Sequence, residues 1–352
     1  MKVKYKVVGV MSGSSLDGLD FALVEFFKDI NWHFKLIDSS TYPYSKKIYE
    51  KLKCSSSLSL KDIEKLDKFY TIYLSKRINK FLKKNNEHKI DFISSHGHTV
   101  LHQPSIGVTH QIGNLPMLAK LIDKKVICDF RSKDVKMGGE GAPLVPAGEL
   151  KLFHQSDTFL NLGGFANITI KNQNKIIAYD ICPVNTILNL LATKIGKPFD
   201  KNGELASEGK LIPELEKKLN SVEFFKSTPP KSLGFEWVKK NILPILESFQ
   251  EVSLNDVLNT YTVFIAKQIS FALKGRKTAL ITGGGAFNSY LMQQIKNRTS
   301  CALFIPDEKI INFKEAIIFA FLGLLRDQNK INCFASVTGA KRNHSSGNIF
   351  LP

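Results

Sequence analysis

The 352-residue sequence lacks several features that would assign it to a special class of protein. No apolar run approaches the roughly 18 residues that a membrane-spanning helix needs. The five cysteines are scattered and no two form a C-x-x-C pair, so the sequence indicates neither a disulfide framework nor a zinc site. The N-terminus lacks the apolar core and cleavage site of a signal peptide, and we therefore expect a cytoplasmic protein. With 43% apolar and 23% charged residues, the composition is typical of a globular chain.

The sequence is strongly basic but poor in arginine. Its formal net charge is +17, yet only six of its 49 basic residues are arginine. The lysines are spread along the chain, whereas nucleic-acid-binding surfaces usually cluster their basic residues and use arginine. We therefore predict a lysine-rich surface with no nucleic-acid or membrane partner, while a nucleic-acid binder stays an alternative. The positive field favours polyanionic ligands such as nucleotides.

Strands and helices alternate along the chain, which predicts an α/β protein, and the length fits two domains. A pattern of strand, glycine-rich turn and strand occurs twice, at 3–26 and 157–170. The glycine- and proline-rich segment 138–146 precedes the predicted domain junction. Hydrophobic periodicity predicts further elements: a helix that starts at Ser59, helices at Asn185–Ile195, Leu254–Leu273 and Phe313–Leu325, and buried strands at 91–95, 125–129 and 278–282.

Three glycine-rich turns follow predicted strands. They are Gly13-Ser14-Ser15 with Asp17-Gly18, Gly163-Gly164, and Gly283 to Gly285. Glycine lets backbone N–H groups approach phosphate oxygens, because no Cβ blocks them. The turns match neither the P-loop nor the G-x-G-x-x-G pattern. Three such turns in one chain nevertheless favour a phosphate-bearing ligand.

Nine segments, in order along nearly the whole chain, together resemble the 1,6-anhydro-N-acetylmuramic acid kinase family. They are GVMSGSSLDGLD (9–20), SHGHTVLHQP (95–104), DFRSKDVKMGGEGAPLVP (129–146), NLGGFANIT (161–169), YDICPVN (179–185), GKPFDKNG (196–203), PPKSLG (229–234), TGGGAFN (282–288) and VTGA (337–340). The resemblance implies the two-domain α/β fold of the actin, hexokinase and heat-shock-chaperone ATPases, with ATP in an interdomain cleft. It also implies a homodimer.

On this resemblance, residues 1–150 form an N-terminal domain on which the tail 335–352 packs, and 151–334 form a C-terminal domain. The implied catalytic residues are Asp180, as the base, and Glu315. The implied ATP-binding residues are Gly13, Ser14, Ser15, Leu16, Asp17, Gly18, Leu19, Asp20, Gly163, Gly164, Asn167, Gly283, Gly284, Gly285 and Asn288. The implied substrate-binding residues are His96, Thr99, Arg131, Gly141 and Pro143.

Some of these residues also have ordinary structural explanations. Asp180 ends an apolar run, and from the sequence alone it is equally well a base or a helix N-cap. Phosphoryl transfer needs Mg²⁺, for which Asp17 is the candidate ligand, but Asp17 also suits a plain turn. His96, His98 and His102 lack a carboxylate or cysteine nearby, which argues against a metal site there.

The sequence departs from the family pattern at several positions. The segment DICPVN replaces the family's DTGPGN, which removes two glycines and a threonine. His98 stands for glutamine, Glu140 for glutamine, Phe235 for arginine and Ser14 for threonine.

We therefore predict a kinase that uses Mg·ATP to open the anhydro ring by hydrolysis and to phosphorylate O6 of the sugar. The product is N-acetylmuramic acid 6-phosphate, in peptidoglycan recycling. A kinase of the same fold for a different sugar, a non-catalytic nucleotide or sugar sensor, and a serine hydrolase that uses Ser15 are the alternatives.

Overall fold

The computed structural model describes residues 4–13, 16–172, 175–229 and 231–352. They form two compact units. The first unit runs up to His154 and includes Phe313–Pro352, and the second unit is Gln155–Asn312. Residues 313–334, which we predicted in the second domain, thus group with the first unit. The reason is that the helix in this segment packs against the strands of the first unit.

Both units are mixtures of strands and helices, which confirms the predicted α/β class. The strands are β1 (Lys4–Met11), β2 (Gly18–Lys28), β3 (Trp32–Pro43), β4 (Phe92–Ser95), β5 (His98–Gln103), β6 (Val108–Ile112), β7 (Val126–Cys128), β8 (Thr158–Leu162), β9 (Phe165–Asn172), β10 (Lys175–Pro183), β11 (Thr278–Thr282), β12 (Ala302–Phe304) and β13 (Asn348–Phe350).

The α-helices follow the same numbering along the chain. They are α1 (Lys46–Lys53), α2 (Leu60–Lys84), α3 (Met117–Ile122), α4 (Ser132–Lys136), α5 (Val145–Leu152), α6 (Asn185–Thr193), α7 (Glu204–Glu208), α8 (Pro213–Ser221), α9 (Glu223–Lys226), α10 (Phe235–Asn241), α11 (Leu243–Glu247), α12 (Leu254–Ala272), α13 (Ser289–Lys296), α14 (Glu308–Asp327) and α15 (Ala335–Thr338). Within the described ranges, no helix combines the length and apolar character needed to cross a bilayer.

The two main sheets share the same order over five strands, and the first sheet has a sixth strand, β13, at one edge. In the first unit the order is β13-β7-β4-β1-β2-β3, and in the second it is β10-β9-β8-β11-β12. Each sheet starts with three consecutive antiparallel strands, β1-β2-β3 or β8-β9-β10. Two parallel strands then extend it on the other side of its first strand. The two predicted strand–turn–strand segments are the first hairpins of these two sheets, so the repeat is architectural.

Local sequence signals explain where the main helices lie. Helix α2 begins after Ser59, whose hydroxyl oxygen accepts a hydrogen bond from the Asp62 amide, as the capping pattern predicts. Its apolar stripe, which includes Ile63, Tyr70 and Leu74, is buried. In the second unit, α12 buries a stripe of large side chains such as Phe264 in the core beside β8 and β9. Burial of these stripes removes apolar surface from water and stabilises each unit.

Small residues let α14 lie directly on the first sheet. Gly9 of β1 faces Ala316 and Ala320, and a Cβ at Gly9 would overlap the carbonyl oxygen of Ala316. The Ser94 hydroxyl of β4 donates to the carbonyl of Phe319 at 2.6 Å. The backbones of sheet and helix are therefore in close contact, and a methyl group has no space between them.

This contact predicts that Gly9→Ala destabilises the protein by about 3 kcal/mol or more, because the new Cβ meets fixed backbone rather than a movable side chain. Urea unfolding followed by circular dichroism measures the effect. The control is Gly107→Ala, whose Cβ would have open space and whose cost is limited to the left-handed φ of +74°, about 1–2 kcal/mol. Equal losses in the two variants would contradict the packing argument.

Candidate functional site

In the second unit, three polar side chains lie side by side across the sheet. Asp180 of β10 pairs with Asn167 of β9, and Asn167 pairs with Asn161 of β8. Residues that are directly opposite in neighbouring strands point to the same face of a sheet. Thr282 of β11 continues the row, since it pairs with Asn161. The register alone therefore places the predicted base in a row of hydrogen-bonding groups.

The carboxylate of Asp180 is half-buried and fixed by backbone contacts. Its Oδ2 accepts a hydrogen bond from the Leu233 amide at 2.8 Å, and its own amide donates to the Lys231 carbonyl at 3.1 Å. A β-bulge at Ile181 follows directly, and such bulges re-aim side chains next to active sites. Burial raises the pKa of Asp180 above its ordinary value, while the Leu233 hydrogen bond opposes this shift.

Asp180 does not cap a helix, which was the other explanation from the sequence. The next helix, α6, starts after Val184 and has no side-chain cap. The Asp180 carboxylate binds the 231–234 loop instead.

The altered residues after Asp180 fill the core of the second unit. Ile181 is 4% exposed, and Cys182 and Val184 are fully buried. None of these three residues has a positive φ, the backbone conformation that most often requires glycine. The residues that replace the family's glycines and threonine therefore pack in the interior of the second unit.

Two of the predicted glycine turns meet in the second unit. Gly283 has a φ of +84°, and a Cβ on it would lie 2.7 Å from Oδ1 of Asn161. A Cβ on Gly285 would lie 2.8 Å from Cβ of Leu162. Only glycine lets this turn lie against the end of β8, where Gly163 and Gly164 follow. The Gly283–Gly285 turn therefore packs directly on the end of β8.

A cavity of about 420 Å³ adjoins the Gly283–Gly285 turn. Its lining includes Asn185, Phe199, Lys201, Gly284, Phe287 and Asn288. Phe199 is 52% and Phe287 41% exposed, which is unusual for phenylalanine. The predicted residue Asn288 also caps α13, because its Oδ1 accepts a hydrogen bond from the Leu291 amide at 2.9 Å.

In the first unit, Arg131 joins two other predicted substrate residues. Its Nε donates to Nε2 of His96 at 3.0 Å, and its Nη1 donates to the Gly141 carbonyl at 2.6 Å. Nδ1 of His96 lies 2.9 Å from the Gly97 carbonyl and must carry the proton, because both groups cannot be acceptors. Burial, and then the charge of Arg131, hold the pKa of His96 well below its ordinary value. His96 is therefore a neutral ring that orients Arg131.

Glu315 of α14 interacts electrostatically with Arg131. Removal of water by surrounding protein raises the pKa of Glu315, and the charges of Lys314 and Arg131 oppose that shift. The Glu315 residue nevertheless keeps surface that is accessible to solvent, although many protein atoms surround it. The remaining predicted sugar residues are Thr99, half-buried on β5 opposite Gln111, and Pro143, which is exposed after the Gly141 turn.

The first glycine turn connects β1 to β2. Ser14 and Ser15, predicted to bind phosphate, lie outside the described residues. Around them, Leu16 has a φ of +57°, and Asp17 is exposed. Gly13, Gly18, Leu19 and Asp20 are the other predicted ATP-binding residues of this segment. Burial raises the pKa of Asp20, and the nearby charges of Asp17 and Glu315 raise it further.

The three clustered histidines of the sequence have separate partners. His96 contacts Arg131, and His102 lies 3.0 Å from the Thr109 hydroxyl. Nδ1 of His98 lies 2.8 Å from the hydroxyl of Ser12. The Ser12 hydroxyl continues a buried chain to the hydroxyls of two tyrosines, Tyr44 and Tyr70, in steps of 2.6 Å. Burial lowers the pKa of His98 to about 4.

Several residues of the site have no clear signal in the sequence. The Leu233 amide contributes because its loop lies beside Asp180, and the side chain of Asn161 contributes because of the strand register. Phe199 and Phe287 are recognisable only by their exposure beside a cavity, since phenylalanine in a sequence normally indicates core.

The pKa of His98 predicts a pH effect on stability. Because the folded state keeps His98 neutral while the unfolded chain takes up a proton below about pH 6.5, stability is lost as the pH falls. We expect a loss of about 2 kcal/mol from this residue between about pH 6.5 and pH 5. His98→Gln should make urea unfolding less dependent on pH, and the exposed His154→Gln should not. Identical pH profiles for His98→Gln and the unmodified protein would contradict the assignment.

Comparison with known proteins bears on the identity of this site. A family model described as anhydro-N-acetylmuramic acid kinase matches residues 5–352. An anhydro-N-acetylmuramic acid kinase of Bacillus thuringiensis (strain Al Hakam) is 32% identical to this chain over 386 residues. The alignment covers 100% of both chains. Another, of Bacillus cereus (strain 03BB102), is 32% identical over 98% of this chain and 99% of its own length.

Among solved structures, a hexokinase from Schistosoma mansoni complexed with glucose aligns with 91% of this chain and 85% of its own. It has 9% identity and a TM-score of 0.41. The family match and the full-length relatives are decisive for identity, because they cover the chain almost from end to end. The chain belongs to the anhydro-N-acetylmuramic acid kinase family.

Proposed function

We propose that the protein uses ATP to phosphorylate O6 of 1,6-anhydro-N-acetylmuramic acid while water opens the anhydro ring. The product is N-acetylmuramic acid 6-phosphate, in peptidoglycan recycling. Family membership makes the chain a kinase that acts on a small sugar. The environment of Asp180 is the observation that carries the finer proposal. The homodimer and the cytoplasmic location stay predictions.

Asp180 acts as the general base. Its raised pKa means that it takes up a proton more readily than an exposed carboxylate does. The Leu233 amide holds one carboxylate oxygen, so the group keeps a single orientation. Asp180 removes a proton from water, and the water oxygen bonds to C1 of the sugar. The bond from C1 to O6 breaks, and O6 takes the γ-phosphoryl group of ATP as ADP leaves.

The sugar-binding residues of the first unit are His96, Thr99, Arg131, Gly141, Pro143 and Glu315. Arg131 is the best supported of them, because His96 and Gly141 fix two of its N–H groups. Its other N–H groups are suited to the carboxylate that the substrate carries on its lactyl group. Glu315 offers an acceptor to sugar hydroxyls.

The glycine turns and the cavity beside them bind ATP. The N-terminal turn and Gly163-Gly164 supply backbone amides to the phosphates, and Asn167 supplies an amide side chain. The cavity at Gly283–Gly285 accepts the adenosine, and its volume suits a small ligand. Phe199 and Phe287 offer aromatic faces to the base. The loop after Phe199 is held by Asp200, whose carboxylate accepts hydrogen bonds from the amides of Leu205 and Ala206 at 3.0 Å.

Asp17 is the residue that would hold Mg²⁺. Burial is the main cause of the raised pKa of Asp20, and the charges of Asp17 and Glu315 raise this pKa further, so negative charge accumulates here. Carboxylate oxygens are the ligands that Mg²⁺ prefers, and a divalent cation offsets their repulsion. When bound, Mg²⁺ neutralises charge on the phosphate oxygens of ATP.

The first test is Asp180→Asn. We expect kcat to fall roughly 100- to 10,000-fold, the usual contribution of a general base, with the Kd for ATP unchanged. The asparagine oxygen still accepts the Leu233 hydrogen bond, so the fold should be kept. Asp123→Asn is the matched control, because Asp123 has a left-handed φ of +50° that asparagine tolerates. An Asp180→Asn variant with normal turnover would refute the role of the base.

A second test concerns the cavity. We expect Phe199→Ala to raise the Kd for ATP between about 5-fold and 150-fold, because stacking on a base contributes about 1–3 kcal/mol. Isothermal titration calorimetry with ATP measures it directly. Phe271→Ala is the control, since Phe271 is 74% exposed on α12 away from the cavity. Equal affinity in both variants would place the adenosine elsewhere.

A further inference from the structure

Three metal-binding side chains meet in the interior of the first unit, apart from the residues assigned above. They are Asp134 of α4, Cys333 and His344. Asp134 is 0%, Cys333 1% and His344 6% exposed. One ligand atom from each lies within 4.8 Å of the other two. In the part of the chain that the structure describes, no other group of three such side chains has this arrangement.

The backbone fixes two of these residues relative to each other. Cys333 and His344 form an isolated antiparallel bridge, in which each amide donates to the other's carbonyl at 3.1 Å. Asn332 strengthens the same segment, because its side-chain oxygen accepts from the Ser346 amide at 2.7 Å. These backbone contacts therefore hold the thiol of Cys333 and the imidazole of His344 beside Asp134.

His344 presents its Nε2 atom to the carboxylate of Asp134. Its Nδ1 lies 3.1 Å from the carbonyl oxygen of Arg342 and donates its proton there. Its Nε2 is 3.5 Å from Oδ1 of Asp134, and among the described residues it makes no hydrogen bond. A cation between Nε2 and Oδ1, whether a proton on the ring or a metal ion, makes this buried pairing favourable. A histidine whose other nitrogen donates to a carbonyl is the usual form of a metal ligand.

We propose that Asp134, Cys333 and His344 bind Zn²⁺. Zinc takes thiolate, imidazole and carboxylate ligands at about 2.0–2.3 Å, which places ligand atoms roughly 3.5 Å apart in a tetrahedron. Oδ1 of Asp134 lies 3.0 Å from Sγ of Cys333 and 3.5 Å from Nε2 of His344. Small side-chain shifts therefore suffice to form the site.

The charges balance when zinc binds. The carboxylate and one thiolate carry two negative charges, which Zn²⁺ neutralises, so no net charge stays buried. The Cys333 thiol releases its proton to solvent and its sulfur bonds to the metal. The Thr338 hydroxyl, 2.7 Å from Oδ1 of Asp134, or a water completes the fourth position.

The site connects to the proposed substrate loop through Asp134. Its second oxygen, Oδ2, accepts a hydrogen bond from the Gly141 amide at 2.7 Å. The Gly141 carbonyl accepts from Arg131. Zinc at Asp134 therefore stabilises the loop that positions Arg131, while the three ligands themselves need not touch the sugar. The role is structural, and it holds whatever sugar the protein phosphorylates.

The test uses the full chain, purified after expression with added zinc and dialysed against metal-free buffer. Mass spectrometry of metals should give about one zinc per chain. Replacement of the zinc by Co²⁺ should give a sulfur-to-cobalt absorption band in the near ultraviolet. Both signals should disappear in Cys333→Ala and persist in Cys301→Ala, which removes another buried cysteine in the second unit. A chelator should lower the Tm of the unmodified protein and leave that of Cys333→Ala unchanged.

The cobalt spectrum of the unmodified protein decides the question even if the variants fold poorly. A thiolate band at stoichiometric Co²⁺ supports the site. Zinc content far below one per chain together with no thiolate band would overturn the proposal. Zinc that is retained equally by a folded Cys333→Ala variant would overturn it too.

Discussion

The register of three strands in the second unit is the constraint on which the account of catalysis depends. Because β8, β9 and β10 pair without a shift up to Asp180, the side chains of Asn161, Asn167 and Asp180 share one face. A slip of one residue would turn all of them to the opposite face of the sheet. The bulge at Ile181 then directs the following residues into the core, so that the same strand carries both a half-buried base and a packed interior.

Buried polar and charged groups in the first unit are also held in place by hydrogen bonds to fixed partners. Arg131, His96, Gly141 and Asp134 form one continuous set of hydrogen bonds, in which each polar group has a defined partner. In a buried place such a set is favourable only when it is complete, because an unpaired polar group costs free energy. This explains why residues far apart in the sequence are coupled here.

The sequence predicted the structural features that depend on residues close together in the chain. The cap at Ser59, the hairpin strands beside the glycine turns and the apolar helix within α14 were all predictable, and the family resemblance named Asp180 and Arg131. Features that arise from contacts between residues far apart in the chain could not be predicted. The Leu233 amide, the exposed Phe199 and the meeting of Cys333 with Asp134, 199 positions away, depend on how the chain packs. For the same reason, local spacing of cysteines could not indicate a zinc site.

The central claim is that one protein adds both a water and a phosphoryl group to an anhydro sugar. The most direct test is to incubate the purified protein with Mg·ATP and 1,6-anhydro-N-acetylmuramic acid in ¹⁸O-labelled water and to weigh the sugar product by mass spectrometry. We expect a product that gains one phosphate and one water, with the heavy oxygen at C1. A product that gains phosphate without water, or no phosphorylated sugar while ATP still binds, would contradict it.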